Sequence, residues 1–432
     1  MTDTSYVRLA MLAPQKPPAS EVGAVRWVRE NLFSGWLNSF LSLAAIYVLF
    51  QILSGIGPWF LNSVWNASSL EECRQIIAEA NGPGVKGACF AVVNERWLQI
   101  IFGFYPRELY WRPILTMVLM LVALAPVLFS RLPRAMLWFS FAFPAVAFWL
   151  LWGGSVWLPI TILLGFAVGF VAFRVIAPLN GLLGIIAAIV LPILYWLYLC
   201  GPLEQAIHAA VPLGLRQLAS DDFGGFLLSS VIGVSGIAFS LPLGVLLALG
   251  RQSDLFIVKT CCVAFIEGFR GVPLITLLFV ASLLLKYFLP PGSDFDVILR
   301  VIIMVTIFSA AYMAEVIRGG LAALPRGQYE AADALGLDYW RAQRLIIMPQ
   351  ALKVSIPGIV GNFIGLFKDT TLVSFISLQD PLQLVSSIRA NTEWNGVYWE
   401  LFIFVGALFF IFCFSMSRYS MYLENKLKTD HR

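Results

Sequence analysis

Charged side chains interrupt the apolar runs of this sequence at a few points, where each charge needs a specific partner. Lys368 and Asp369 are neighbours in the run that continues through Thr370 to Ile376. Adjacent residues on a helix point in different directions, so these two cannot pair as residues four apart can. Charges within lipid usually face a bundle interior or a cavity, where a solute carrying both signs of charge can bind. The alternative, which the sequence favours, is a structural or gating role near the cytoplasmic mouth of the bundle.

Two further acid–base pairs have the three-residue spacing that places both side chains on one face of a helix. They are Glu267 with Arg270, and Glu315 with Arg318. Residues at this spacing can neutralise each other, and a long basic side chain near the end of a membrane span can reach the interface. A structural pair is therefore the favoured interpretation of both, and direct contact with a substrate is the alternative.

The sequence holds no pattern that would make the chain an enzyme. It contains neither the phosphate-binding pattern G-x-x-x-x-G-K-[ST] nor the zinc pattern H-E-x-x-H, and its two histidines are His208 and His431. No C-x-x-C pair points to a metal. We therefore predict no catalytic residue, no metal site and no ATP site within this chain.

The elements that carry these charges are predicted to be membrane helices. Of the 432 residues, 59% are hydrophobic and only 12% are charged, whereas about a quarter of a soluble domain is charged. The net charge of +4 is small and spread over loops, which argues against nucleic acid as a partner. Because a span needs roughly 20 residues, the sequence predicts an all-α integral membrane protein with ten spans. They lie at 37–62, 113–130, 135–152, 159–177, 182–200, 224–250, 268–289, 297–318, 356–377 and 398–420. The third to fifth are short and contain or adjoin prolines, so eight spans are the alternative.

The composition shifts near residue 223, after which charged motifs occur within and between the apolar runs. We therefore assign 1–222 to an N-terminal cytoplasmic segment with additional spans, 223–422 to a functional core, and 423–432 to a tail. Lysine and arginine in the short loops, Arg251 among them, place both termini and the loop at 319–355 in the cytoplasm. The loop at 63–112 then faces outward, into the periplasm of a Gram-negative cell. Cys73 and Cys89 can form a disulfide there, and two free thiols are the alternative.

The polar segment RGQYEAADALG, from Arg326 to Gly336, separates two apolar runs of the core. Its residues favour a short helix, and Gly336 is placed to end that helix in a left-handed conformation. Asp338 can cap a second helix over Tyr339–Met348, which Pro349 is predicted to end. The first helix would present a small face formed by Ala331, Ala332 and Leu335. On these residues alone, a solvated interhelical loop remains an equal alternative.

The order of residues in this elbow resembles the EAA signature of ABC importer permeases. Glu330-Ala331-Ala332 is followed by Gly336 and then by Ile346-Ile347-Met348-Pro349, where Met348 replaces the usual leucine. The flanking segments EGFRGVPLI, AYMAEVIRGGLAALPRGQ and LFKDTTLVSFI resemble elements of the polar amino acid permeases of the histidine/glutamate/glutamine type. VRENLF, GACFAVVNERW and FGFYPRELYWRP resemble the long permeases of general L-amino acid and glutamate/glutamine/aspartate/asparagine importers.

The resemblance implies a type I importer core of five transmembrane helices, preceded by an extension of about five, with three as the lower bound. It implies that the elbow is the coupling helix, so that Glu330, Ala331, Ala332 and Gly336, with Arg326 beside them, contact a separate ATPase. ATP and Mg²⁺ would bind to two copies of that ATPase. A periplasmic amino acid-binding protein and a second homologous permease, most simply as a heterodimer, would complete an importer of polar L-amino acids in the bacterial inner membrane. The alternative is a secondary amino acid transporter driven by an ion gradient, which leaves the elbow unexplained.

Overall fold

The computed structural model describes residues 23–129, 131–284, 287 and 296–427, and the structural statements below concern these residues. The chain divides into two compact units, with the sequence boundary between Ala91 and Val92.

The first unit contains one long apolar helix and a small polar part closed by a disulfide. Its helices are α1 Gly23–Asn31, α2 Trp36–Leu61 and α3 Leu70–Asn81. α2 has 26 residues with a mean hydropathy of 1.9, which is enough to cross a bilayer. After α3 the chain returns to Cys89, which forms a disulfide with Cys73 across a Cα–Cα distance of 5.9 Å. Both cysteines are buried.

The second unit begins with the remaining helices of the extension. They are α4 Ala91–Phe102, α5 Trp111–Leu128, α6 Met136–Trp152, α7 Trp157–Ile176, α8 Gly181–Leu194 and α9 Cys200–Ala210. A π-turn at Tyr195–Leu199 connects α8 to α9, so the two form one apolar segment of 30 residues. Two short strands, β1 Gly154–Ser155 and β2 Gly214–Leu215, form an antiparallel pair. This pair joins the chain just before α7 to the chain just after α9.

The core of the second unit is the helical bundle that follows residue 223. Its helices are α10 Gly225–Arg251, α11 Phe256–Arg270, α12 Leu274–Phe279, α13 Val297–Ala322, α14 Arg326–Ala334, α15 Tyr339–Ala342, α16 Met348–Asp369, α17 Pro381–Arg389 and α18 Trp399–Leu427. A π-turn at Val280–Leu284 extends α12, and a 3₁₀ segment at Thr370–Ile376 follows α16. Buried apolar side chains form two clusters: one lies between α10, α12 and α13 and includes Phe102, Tyr105 and Leu151 of the extension, and the other lies mainly between α10, α13 and α16.

Small residues allow the core helices to approach closely. Gly244 of α10 faces the side chain of Met313, and Gly320 of α13 faces the backbone of Ala351, where a methyl group would lie about 2.5 Å from a carbonyl oxygen. Such contacts are typical of helix packing in membranes, where apolar side chains gain nothing by leaving lipid. The resulting α13–α16 pair is antiparallel, with Val316 beside Gly358.

The ten predicted spans correspond to ten helical elements of the described chain. Eight helices are long and apolar enough to cross a membrane, α6 is a shorter apolar helix, and α11 with α12 and its π-turn forms a bent pair. Five of these elements lie in the core and five precede it, which confirms the predicted fold class. The continuous span predicted at 268–289 is wrong, because the axis turns by 101° between Arg270 and Leu274. Pro273, with ψ of 141°, holds an extended backbone there that no helix can pass through.

A second proline has the opposite effect from the one predicted. Pro349 does not end the helix that begins at Tyr339, because the chain continues without a break through a π-turn at Gln343–Ile347 into α16. Proline has no N–H to donate, and it is tolerated in the first turn that follows such a change of hydrogen-bonding pattern. The second arm of the elbow is therefore the first part of a membrane span.

The extension is joined to the core near residue 223, where the sequence predicts a domain boundary. Gly103, with φ of +67°, lies against Gly224, and a methyl group on Gly103 would come within 2.3 Å of the Gly224 Cα. The Tyr105 ring meets the Phe223 ring edge to face at 5.6 Å, and Trp152 stacks on Phe223 at 4.3 Å. Residues 92–222 thus pack with the core as one compact unit.

Candidate functional site

The elbow begins with α14, whose two ends are formed by local sequence signals. Pro325 precedes it in an extended conformation, and Gly336 follows it with φ of +65°. The N–H of Gly336 donates to the carbonyl of Asp333 at 2.9 Å, and the N–H of Leu337 donates to that of Ala332 at 3.2 Å. These two bonds are the Schellman pattern, which satisfies the last carbonyls of a helix. The helix end at Gly336 has the conformation that the sequence predicts.

The second arm of the elbow starts immediately afterwards. The Asp338 side chain accepts a hydrogen bond of 2.9 Å from the N–H of Arg341 and so caps α15, as predicted. Gln350 of α16 donates to the Gln328 side chain at 2.9 Å, which fixes α14 to the span that follows it. The angle between the two arms is therefore held by side-chain contacts as well as by the turn.

The exposed face of α14 differs from the predicted one. Arg326, Glu330, Ala331 and Gly336 are exposed, but only 1% of Ala332 is accessible, because it packs against its own chain. Leu335 is 72% exposed and lies near Ala331, one helical turn away. The surface open to another protein is thus formed by Glu330, Ala331 and Leu335, with Ala332 holding the helix in place beneath it.

Five charged side chains form an arginine–glutamate cluster at the ends of three helices. The cluster consists of Arg251 of α10, Glu267 and Arg270 of α11, and Glu315 and Arg318 of α13. The two predicted pairs are both present, since Arg318 Nε donates to Glu315 Oε2 at 2.9 Å and Arg270 Nη1 lies 3.9 Å from Glu267 Oε2. They are not separate, however, because Arg251 connects them.

Arg251 is the residue that sequence reasoning missed. Its Nη1 atom donates to Glu267 Oε1 at 2.8 Å and to Glu315 Oε1 at 2.6 Å. Glu315 is the least exposed member of the cluster and lies within 4 Å of three arginines. The sequence shows Arg251 only as a basic residue at the end of a span, and no spacing rule relates it to residues 16 and 64 positions away.

A cavity of about 220 Å³ lies between α13 and α16. It is lined by Phe308, Ser309, Tyr312, Asn362, Gly365, Leu366 and Asp369. The Ser309 hydroxyl is buried and has no hydrogen-bond partner among the described residues, and Asn362 donates to the Ser309 carbonyl at 3.3 Å. The lining thus combines a carboxylate, an amide and a phenol hydroxyl with apolar side chains.

The three adjacent candidate residues Lys368, Asp369 and Thr370 have different surroundings, as the sequence predicts for Lys368 and Asp369. Asp369 lines the cavity, while Lys368 is exposed outside it. Thr370 is buried, and its hydroxyl donates to the Phe367 carbonyl at 2.8 Å. Asp369 ends a helix of 22 residues whose other end adjoins the elbow, so Asp369 and the elbow lie at opposite ends of one span, and the predicted role near the cytoplasmic mouth stays a prediction.

The arginine–glutamate cluster contacts one side chain of the cavity wall. Tyr312 lines the cavity, and the guanidinium of Arg270 lies over its ring at 5.4 Å from the centroid. A cation at this distance is attracted by the face of an aromatic ring. A change in the position of Arg270 would therefore alter the cavity wall.

Comparison with known proteins gives matches over the core and over the whole chain. The family described as "Binding-protein-dependent transport system inner membrane component" matches residues 240–429. The glutamate/glutamine/aspartate/asparagine transport system permease protein BztC of Rhodobacter capsulatus is 60% identical over 438 residues, which cover 100% of both chains. The inner membrane amino-acid ABC transporter permease protein YhdY of Escherichia coli is 37% identical, covering 94% of each chain.

Shorter proteins match the core alone. The glutamate/aspartate import permease protein GltK of Escherichia coli O157:H7 is 32% identical over 47% of this chain and 91% of its own length. A solved amino acid ABC transporter with histidines is 28% identical over 46% of this chain and 91% of that chain, with a TM-score of 0.42.

These matches place the transport function in the membrane and the hydrolysis of ATP in another subunit. The full-length relative at 60% identity and the family match over the core agree with the eight long apolar helices of the described chain. The protein belongs to the binding-protein-dependent amino acid ABC transporter permeases of the bacterial inner membrane.

Proposed function

We propose that this chain is the permease of an importer for polar L-amino acids, with glutamate, glutamine, aspartate and asparagine as its substrates. The observation that carries the proposal is the match to the Rhodobacter capsulatus permease, which is 60% identical over 100% of both chains and is named for these four amino acids. The polar groups of the α13–α16 cavity support it, since they could contact a substrate that carries both an ammonium and a carboxylate group.

The complete importer in this proposal has four kinds of subunit. This chain pairs with a second homologous permease as a heterodimer, two copies of an ATPase bind ATP and Mg²⁺, and a periplasmic binding protein delivers the substrate. Both termini of the chain lie in the cytoplasm, on the side of the ATPase. The single core within this chain supports the need for a second permease.

We assign the contact with the ATPase to the elbow. Glu330, Ala331 and Leu335 form its exposed surface, Gly336 ends the helix that presents them, and Arg326 lies exposed at its start. Ala332 contributes by fixing α14 against the chain. Movement of the ATPases would reach the cavity through α16, because Gln350 of α16 is bonded to α14 and the second arm of the elbow forms one continuous segment with Asp369.

We assign contact with the transported amino acid to the cavity and not to Lys368 or Thr370. In this proposal Asp369 and the Tyr312 hydroxyl contact the ammonium group, and Asn362 donates to the carboxylate, since all three line the cavity. Arg270, Glu267, Glu315 and Arg318 act indirectly, through the contact of Arg270 with Tyr312.

The deciding experiment reconstitutes the permease with its ATPase, second permease and binding protein in liposomes. Uptake of radiolabelled glutamate is measured with ATP inside the vesicles, and then without ATP but with an imposed proton or sodium gradient. The proposal predicts uptake with ATP alone. Uptake driven by the gradient without ATP would overturn it in favour of a secondary transporter. Competition by unlabelled glutamine, aspartate and asparagine, with leucine as the control, tests the substrate class.

A second arm tests the elbow. Glu330→Lys and Gly336→Pro are expected to abolish uptake while the protein still inserts into the membrane. Glu79→Lys, an exposed charge reversal on α3, serves as the matched control. Normal uptake by both elbow variants would remove the coupling role from α14.

A further inference from the structure

Helix α1 has a charged side and an apolar side, and the proposed transport function gives neither side a role. At 100° per residue, Arg26, Arg29 and Glu30 fall within an arc of about 100°, and Ala24, Val25, Trp27 and Val28 occupy about 160° on the other side, where Asn31 at the end of the helix is the one polar residue. None of the nine residues is buried, and Val25 and Trp27 are 60% and 59% exposed. The described part of the first unit therefore offers this apolar face no cover.

The position of α1 relative to the adjoining membrane span indicates what covers it. α2 begins at Trp36, only five residues after α1 ends at Asn31. An extended chain of that length reaches at most about 17 Å, so α1 cannot leave the neighbourhood of the membrane face at which α2 starts.

A hydrogen bond between α2 and the residue that follows α1 holds the two helices closer together than the linker alone requires. Ser42 of α2 donates from its hydroxyl to the Leu32 carbonyl at 2.7 Å. Ser42 lies six residues into α2, about 9 Å along the helix axis from Trp36. The C-terminal end of α1 is thus level with the second turn of α2, close to the end of the span.

The charged side of α1 suits the same location. Arg26 Nε donates to Glu30 Oε1 at 2.8 Å, so this ion pair lies along the charged side of α1. Two arginines against one glutamate give α1 a net positive charge, which favours phosphate-bearing headgroups. Trp27 and Trp36 are of the residue type that concentrates at this interface.

We propose that α1 is a membrane-surface helix that lies in the headgroup layer, with Val25, Trp27 and Val28 in the acyl-chain boundary and Arg26, Arg29 and Glu30 towards water. It anchors the start of α2 at a fixed depth.

The test uses nitroxide labels on single cysteines in the full-length protein in phosphatidylcholine–phosphatidylglycerol liposomes. Cys200, Cys261, Cys262 and Cys413 are replaced, and the Cys73–Cys89 disulfide is kept. Labels are placed at four positions of α1 and two references. The positions are Val25, Val28, Arg29 and Glu30, with Phe50 in α2 as the lipid reference and Glu79 on α3 as the water reference.

Collision of each label with oxygen and with a water-soluble nickel chelate gives its depth. Labels at 25 and 28 are expected to show an oxygen-to-nickel ratio severalfold above that at 29 and 30, approaching the ratio at 50. Equal nickel access at all four positions, as at 79, would place the helix in water and overturn the proposal. Protection of 25 and 28 from both reagents would overturn it too, because it would show that a protein surface covers the apolar face.

Discussion

Arg251 of α10 and Glu315 of α13 are 64 positions apart, and a hydrogen bond of 2.6 Å joins the Arg251 Nη1 atom to Glu315 Oε1. Arg251 also bonds Glu267 of α11, so one guanidinium holds the ends of three helices together. Because the partners are mostly screened from water, this contact exceeds an exposed ion pair in strength. Arg270 of the same cluster lies on Tyr312, which extends the contact to the cavity wall.

Replacing Glu315 by Gln should destabilise the permease by about 1–3 kcal/mol, because three nearby arginines lose their shared carboxylate. The measurement is the free energy of unfolding in detergent micelles. Arg318→Gln is the control: that side chain is 45% exposed and contacts Glu315 alone within the cluster, so a loss below about 1 kcal/mol is expected. The double variant with Arg251→Gln should lose less stability than the sum of the single variants. Additive losses would show that Arg251 and Glu315 act independently.

Adjacent alanines of the elbow should respond differently to the same substitution. Ala331→Glu, on the exposed face of α14, should leave the permease folded but reduce co-purification of the ATPase. Ala332→Glu should instead lower the yield of folded protein, because a buried methyl group is replaced by a carboxylate. Both are scored by gel filtration of the permease and by the amount of ATPase retained. Equal folding yields would contradict the assigned orientation of α14.

Substitutions of Asp369 and of Lys368 should change the rate of transport to different extents. Asp369→Asn removes a charge from the cavity and should lower the uptake rate about tenfold, equivalent to about 1.4 kcal/mol. Lys368→Gln, the neighbouring exposed position, should change uptake by less than about twofold. Basal ATP hydrolysis by the reconstituted complex is the control, and it should be the same in both variants. A larger effect at Lys368 would move the substrate path away from the α13–α16 cavity.

Asp380 should make the folded protein less stable as the pH rises, whereas most carboxyl groups of folded proteins have the opposite effect. It caps α17 in the loop after Ile376, is fully buried, and accepts from the Gln383 N–H at 2.9 Å. Burial raises the pKa of its carboxyl from 3.8 to about 6. The folded state therefore holds this proton more tightly than the unfolded state, so the contribution is present below pH 4 and is lost as the pH rises through 6.

The expected change from Asp380 is about 3 kcal/mol across this range. Thermal unfolding of the wild type and of Asp380→Asn, which keeps an acceptor oxygen but cannot titrate, is compared between pH 4 and 7. The stability of the wild type relative to the variant should fall with rising pH. A relative stability that rises would mean that the folded protein favours the charged carboxylate.

Two glycines with similar backbone angles provide a test of the junction between extension and core. Gly103 and Gly154 have φ of +67° and +80°, so alanine is strained by about 1 kcal/mol at either position. A methyl group meets the Gly224 backbone at position 103, whereas it meets nothing within 4 Å at position 154. Gly103→Ala should therefore lower the thermal midpoint well beyond Gly154→Ala. Equal shifts would show that the contact between Gly103 and Gly224 contributes nothing.

Features that depend on neighbouring residues in the sequence were predicted well. Long apolar runs identify the spans because about 20 residues must cross the bilayer, and Gly336 and Asp338 identify helix ends because their contacts are within four residues. Prolines were not predicted well, since Pro273 breaks a predicted span and Pro349 is accommodated within a continuous one. The ring imposes the same local constraint in both cases, and the packing of the surrounding helices decides the result.

Features that join distant parts of the chain lay beyond sequence reasoning. The spacing of Glu315 and Arg318 predicts their pair, but nothing in the sequence relates either to Arg251. The composition of α14 predicts a small face, but not that Ala332 turns inward. Asp369 could be recognised as a charge within a span, but only the packing of α13 against α16 shows that it faces a cavity while Lys368 does not.

The π-turn at Gln343–Ile347 joins α15 and α16 into one continuous helix. A displacement of one end of this helix can therefore be transmitted to the other end. The segment from Tyr339 to Asp369 is about 45 Å long at 1.5 Å per residue, with the elbow at one end and the cavity carboxylate at the other. The close contact of Gly320 with Ala351 lies between the two ends and can act as the fulcrum. A sideways displacement of the elbow would then move Asp369 in the opposite direction, so that in the proposed importer a movement of the ATPases at one end of this helix would widen the cavity at the other end.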